Sequence, residues 1–161
     1  MSEEFKTRIE YTKLLREPLR SLLAIEQYLH SSGIEGKLLH MLKLRASQIN
    51  GCAYCIDMHW KDAKAAGETD QRLYGLDAWR ESPYYSERER AALEWIEAIT
   101  RVSETHVPDD VYDRVRTQYS EKEIADLTLC AGMINVWNRI AIAFRAVPGL
   151  YQPKHTTAAA S

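Results

Sequence analysis

The stretch from Ser120 to Pro148 restricts the fold more than any other. Ser120-Glu121-Lys122-Glu123 is a capping box, with a Ser at the cap and a Glu three residues on, and it opens an uninterrupted helical pattern to about Ala146. Ile124, Leu127, Leu129, Met133, Ile134, Val136, Ile140, Ile142 and Phe144 occupy more than one side of that helix. A helix apolar on several sides must be the centre of a bundle or part of a subunit interface.

The rest of the chain reads the same way. A second capping box, Ser86-Glu87-Arg88-Glu89, opens a helix to about Val102. Further helical patterns run from Pro18 to Ser31, Glu35 to Gln48, Cys52 to Ala66, Asp70 to Trp79 and Asp109 to Gln118. No strand-like alternation, Gly-rich phosphate loop or internal repeat interrupts them. The expected fold is an all-α helical bundle of about six or seven helices, with a C-x-x-C at one helix N-terminus. Residues 1–150 form one domain, 1–16 being a lead-in docked by Phe5, Ile9 and Tyr11, and 151–161 are expected to be a disordered tail. The tryptophans Trp60, Trp79, Trp95 and Trp137 are assigned to core packing. A net charge of −2 gives no electrostatic case for nucleic acid or an anionic membrane. No apolar run approaches the roughly 18 residues of a membrane span. Three cysteines without a secretory signal point to a reducing, cytoplasmic setting.

The chemistry is concentrated in Gln48-Ile49-Asn50-Gly51-Cys52-Ala53-Tyr54-Cys55-Ile56-Asp57-Met58-His59. Asn50 is a candidate N-cap, and the helix after it carries Cys55 and His59 as an (i, i+4) pair, with Cys52 close to the same line. The thiolate is the reactive form, and an ordinary Cys is only about 3% thiolate at pH 7. First-turn N–H groups, the helix dipole and a nearby imidazolium all favour the anion. A pKa of roughly 6.5 would raise the thiolate fraction about 25-fold, but lower nucleophilicity would leave a net gain of about threefold. A proton-transfer group or a positioning pocket must supply the rest. The same cluster also has the makings of a zinc site, with Cys130 or His40 as fourth ligand. Structural zinc pairs usually sit on loops, however, and no second C-x-x-C or H-x-x-x-H occurs. His40 alone reads as a core histidine, Cys130 as an inert core thiol and His106 as a surface residue.

The run Arg45-Ala46-Ser47-Gln48-Ile49-Asn50-Gly51-Cys52-Ala53-Tyr54-Cys55-Ile56-Asp57-Met58-His59 resembles the core of the AhpD-like alkylhydroperoxidases, the paired-cysteine branch of the carboxymuconolactone decarboxylase superfamily. The resemblance runs from about Gly36 to Arg101 and returns at Val136-Trp137-Asn138-Arg139 and Ala143-Phe144-Arg145. It implies a thiol peroxidase without cofactor or metal, acting on alkyl hydroperoxides or hydrogen peroxide and re-reduced by a thiol or dithiol donor. It implies that Cys55 attacks, that Cys52 resolves the sulfenic acid to a disulfide, and that His59 moves the proton. The carboxylate of the family's proton relay is replaced here by His40, and a relay His found between the cysteines of some members is Tyr54. Homo-oligomers, trimers or hexamers, are also implied. Two rival readings remain: a general dithiol–disulfide oxidoreductase, and a non-catalytic zinc-binding or interaction module.

Overall fold

A computed structural model describes residues 6–153. Among them are nine α-helices and one 3-10 segment: α1 (Tyr11–Leu14), α2 (Arg16–Ser31), α3 (Gly36–Asn50), α4 (Ala53–Ala65), α5 (Asp70–Tyr74), the 3-10 segment Leu76–Glu81, α6 (Glu87–Thr100), α7 (Val102–Thr105), α8 (Asp109–Arg116) and α9 (Glu121–Phe144). No strand occurs among the described residues, so the class is all-α.

The count exceeds the six or seven expected, for local reasons. One-turn helices such as α1 and α7 carry no periodic pattern. The helix expected over Asp70–Trp79 breaks at Gly75 into α5 and the 3-10 segment. Arg101 leaves helical geometry at φ −101°, ψ 35° and separates α7 from α6. The second helix starts at Arg16, so Pro18 lies inside its first turn, where a missing N–H costs nothing. Both capping boxes form, at Ser86 and Ser120.

Helix α3 is the axis of the bundle. From Leu38 to Ser47 every residue but His40 is buried, and the helix packs on α4, α6 and α9. Two of those buried residues are charged. Lys43 pairs with Glu26 of α2, which also accepts a hydrogen bond from Trp137 Nε1 at 2.8 Å. Arg45 donates from Nε to Glu97 Oε1 at 2.6 Å and pairs with Asp77. Glu97, 5% exposed, also accepts from Trp79 Nε1 at 2.9 Å and from Arg80. Burial raises the Glu97 carboxyl, but the bonds from Trp79, Arg80 and Arg45 outweigh it and leave the pKa lowered. Glu97→Ala would strand Arg45 in the core. It is expected to cost about 3–5 kcal/mol, a fall on the order of 10 °C in the melting temperature read by circular dichroism.

Helix α9 is long and apolar enough to cross a membrane by length and composition, which differs from the reading of the sequence. Here it packs against α2, α3, α4, α6 and α8, and its Asp126 and Asn138 are buried and hydrogen-bonded. Leu129 and Val136 are exposed on one side of it, and Ile142 is exposed at another.

The ends of the described chain dock on the bundle. Arg8 N–H donates to the Phe144 carbonyl, and Tyr11 stacks on the Phe144 ring at 5.5 Å. Ile9 is exposed and Phe5 lies outside the described residues, so Tyr11 carries the lead-in. Tyr151, assigned above to the tail, is instead held: its hydroxyl donates to Asp62 Oδ1 at 2.7 Å, and Lys61 Nζ donates to its carbonyl at 3.0 Å. The remainder of the expected tail, 154–161, lies outside the described residues.

Candidate active site

The corner between α3 and α4 builds the site. Gly51, at φ +69°, ends α3 in the left-handed region. Its N–H donates to the Gln48 carbonyl and that of Cys52 to the Ser47 carbonyl, which is a Schellman closure. Asn50 is therefore the last residue of α3, and the N-cap of α4 is Cys52, not Asn50 as expected. Cys52 Sγ accepts from the Cys55 N–H at 3.4 Å, a bond that a Ser or Asp usually accepts. Asn50 turns back to α9, donating to Asn135 Oδ1 at 3.0 Å and Asn138 Oδ1 at 2.8 Å. Asn138, fully buried, donates in turn to Ser47 Oγ at 3.0 Å.

The corner folds α4 back on α3, which brings His40 and His59 together with ring centroids 6.0 Å apart. Both face a cavity of about 290 Å³, walled also by Cys55, Met58 and Asp62 of α4, Lys43 of α3, Glu26 and His30 of α2, Tyr11, and Trp137 of α9. Cys52 is not part of its wall. It lines a separate groove of about 410 Å³ with Gly51, Ile142, Arg145 and Pro148, and Tyr54 and Ala141 belong to both spaces. Trp137 is thus a cavity wall and Trp60 is exposed, whereas Trp79 and Trp95 are core residues. Cys130 is buried, and burial pushes its thiol up to about 11.

The electrostatics depart from the sequence reading in two places. The first is the more acidic sulfur, expected to be Cys55. Cys52 is lowered to about 7 by the hydrogen bond from the Cys55 thiol first of all; burial opposes this, and the Cys55 N–H and Asn138 assist it. Cys55 is raised, as the donor in that bond, by burial and by charge on Cys52. The second is the imidazolium. His59 is buried, and burial, Lys43 and His40 hold it well below 6.5, so the ring is neutral. His40 is lowered to about 4 by burial, Lys43 and His30. Neither ring supplies a positive charge to the thiols near pH 7.

Three site groups were missed in the sequence. Asn138, which the sequence marks only as part of the run Val136-Trp137-Asn138-Arg139, bonds both the corner and the thiols. Asp62 stands one turn after His59, with Oδ2 3.9 Å from His59 Nδ1 and 4.0 Å from His40 Nδ1, and its (i, i+3) spacing was a readable signal. Lys43 with Glu26 is a tertiary pair that no local pattern announces. Donor atoms of His40, His59 and Asp62 lie within 4.8 Å of one another; the thiols are in no such group among the described residues. The zinc set weighed as an alternative, Cys52, Cys55 and His59 with Cys130 or His40, is not such a group among the described residues.

Residues 17–98 match the model of the carboxymuconolactone decarboxylase family. The chain belongs to that family. An uncharacterised relative, YdfG of Bacillus subtilis, is 46% identical over 136 residues, 84% of this chain and 92% of its own length. A solved structure from Agrobacterium tumefaciens, Atu0492, superposes with a TM-score of 0.87 at 45% identity, over 91% of this chain and 100% of that one. It is described as a protein of unknown function and a candidate AhpD antioxidant defence protein. Within the carboxymuconolactone decarboxylase family the chain is accordingly AhpD-like. The debrominase Bmp8 has the same fold, with a TM-score of 0.72 at 19% identity over 84% of this chain and 74% of its own.

Proposed function

We propose that this AhpD-like chain is a two-cysteine thiol peroxidase that reduces alkyl hydroperoxides or hydrogen peroxide. The observation that carries the reading is the division of the two thiols between two openings. Cys55 meets the cavity that holds His59, and Cys52, one turn away, meets the groove. A peroxide oxygen in the cavity reaches Cys55. A thiol or dithiol donor in the groove reaches Cys52.

In the resting dithiol the Cys55 thiol donates its proton in a hydrogen bond to Cys52, which lowers Cys52 to about 7 and favours the thiolate there. Transfer of that proton from Cys55 to Cys52 makes the attacking thiolate at the cavity wall. Cys55 Sγ then bonds to the distal peroxide oxygen, the O–O bond breaks, and the alkoxide leaves as alcohol once it has taken a proton. Neutral His59 passes this proton: both its ring nitrogens lack a hydrogen-bond partner, and its low basicity releases what it accepts. Attack of Cys52 on the Cys55 sulfenic acid expels water and leaves the disulfide. The sum is one dithiol monoanion, one proton taken up from solvent through His59 and one hydroperoxide giving one disulfide, one alcohol and one water.

Free thiols at Cys52, Cys55 and Cys130 suit a reducing cytoplasm. The exposed Leu129 and Val136 on one side of α9 support assembly with further copies, as trimer or hexamer. Light scattering at micromolar concentration is expected to give a multiple of 18.5 kDa; 18.5 kDa itself would remove the assembly from the account. The function is tested by turnover: tert-butyl hydroperoxide is expected to disappear catalytically in the presence of dithiothreitol and this protein. Disulfide exchange without peroxide loss would leave the oxidoreductase reading in its place.

A further inference from the structure

The thiol cycle does not account for a group of unmet polar atoms in the cavity. His59 is 5% exposed with neither ring nitrogen partnered, and His40 Nδ1 is unpartnered as well. A buried polar atom left unpaired costs about 1–3 kcal/mol, so a fold that holds three together implies something that pairs with them. His40 comes from α3, and His59 and Asp62 from one face of α4, so two rigid helices present a neutral imidazole each and a carboxylate. Asp62 Oδ1 is already occupied by the Tyr151 hydroxyl at 2.7 Å, which leaves Oδ2 turned to both rings at 3.9 and 4.0 Å. Zinc bonds of about 2.0–2.2 Å place neighbouring tetrahedral donors roughly 3.4 Å apart. The two Asp62–imidazole spacings are wider by about half an ångström, and every pair of donors lies within 4.8 Å.

We propose that His40, His59 and Asp62 bind one divalent transition-metal cation of the zinc class, with its remaining coordination position open to the cavity. The charges facing the site permit it: Asp62 and Glu26 stand against Lys43, which is itself paired with Glu26. Two histidines, a carboxylate and an open position form a donor set that zinc uses, and a ligating carboxylate held by a second hydrogen bond is the usual outer-shell support. The Cys-x-x-Cys sulfurs take no part.

The ion has a consequence for the site. A neutral imidazole has one basic nitrogen, and a metal that takes it leaves the other carrying hydrogen. His59 would then pass no proton, so an occupied site is a silenced site. This slowing rests on the peroxidase reading; the binding does not.

The test keeps the two apart. Zn²⁺ is titrated calorimetrically into the full-length Cys52→Ser/Cys55→Ser protein, which has neither redox thiol. One site per chain is expected, and at least a tenfold loss of affinity in Asp62→Asn and in His40→Gln. Tyr151→Phe, which leaves all three donors in place, is expected to weaken zinc severalfold and reads the same site if Asp62→Asn does not fold. No zinc uptake by the thiol-free protein, or unchanged affinity in the folded donor variants, overturns the proposal whatever the peroxidase assay gives.

Discussion

Cys55→Ala is expected to lower hydroperoxide turnover at least about 10³-fold, the scale on which removing an attacking group acts. Cys52→Ser is expected instead to complete one attack and stop with a sulfenic acid on Cys55, trapped by dimedone and located by peptide mass spectrometry. The two outcomes differ because the sulfurs do different work. Cys52 is the more acidic, for it caps α4 and accepts from the Cys55 N–H and thiol. Cys55 alone lines the cavity with His59. Cys55→Ala also removes the thiol donor to Cys52, so the Cys52 pKa should rise from about 7, visible as thiolate absorbance moving to higher pH. A dimedone adduct on Cys52 in the Cys55→Ala protein, with turnover kept, would reverse the roles.

The second large effect is on stability in acid. His40 ionises near 6.5 when the chain is unfolded and at about 4 when folded, because burial, Lys43 and His30 oppose its charge. Between those values the unfolded chain binds a proton that the folded chain refuses, so stability falls as pH falls. His40 alone contributes about 3 kcal/mol, present above pH 6.5 and lost on the way to pH 4. His59, also lowered, adds in the same direction. Urea unfolding with chelator present is expected to show this loss, and His40→Leu to flatten it. The rate follows the same displacement. An acid limb at 6.5 from His40, the expectation for an exposed imidazole, is replaced by a rise near 7 that follows the Cys52 thiol. A stability curve level from pH 7 to 4.5 would mean that both rings are charged in the fold.

What the sequence made legible follows from the range of each signal. Capping boxes are local, so the starts of α6 and α9 were readable to the residue. The start of α4 lies one residue and its N-cap two residues beyond the sequence expectation, because a Cys as N-cap and the Schellman closure at Gly51 override the preference for Asn50. The burial of α3 was visible in its apolar run. That Lys43 and Arg45 lie inside the core was not, since their partners Glu26 and Glu97 come from α2 and α6. Cys52, Cys55 and His59 share one helix and stand out by spacing. His40 joins them only through the fold of the corner, and Asp62, although one turn from His59, has meaning only once His40 faces it. The charge state of His59 is a property of its burial, which no spacing encodes.

The most direct test of the account is a single oxidation. Fully reduced protein receives one equivalent of tert-butyl hydroperoxide and is alkylated, digested and weighed by mass spectrometry. A Cys52–Cys55 disulfide is expected, formed with equal loss of peroxide, and Cys130 alkylated as before. Peroxide left intact with all three thiols alkylated would contradict it.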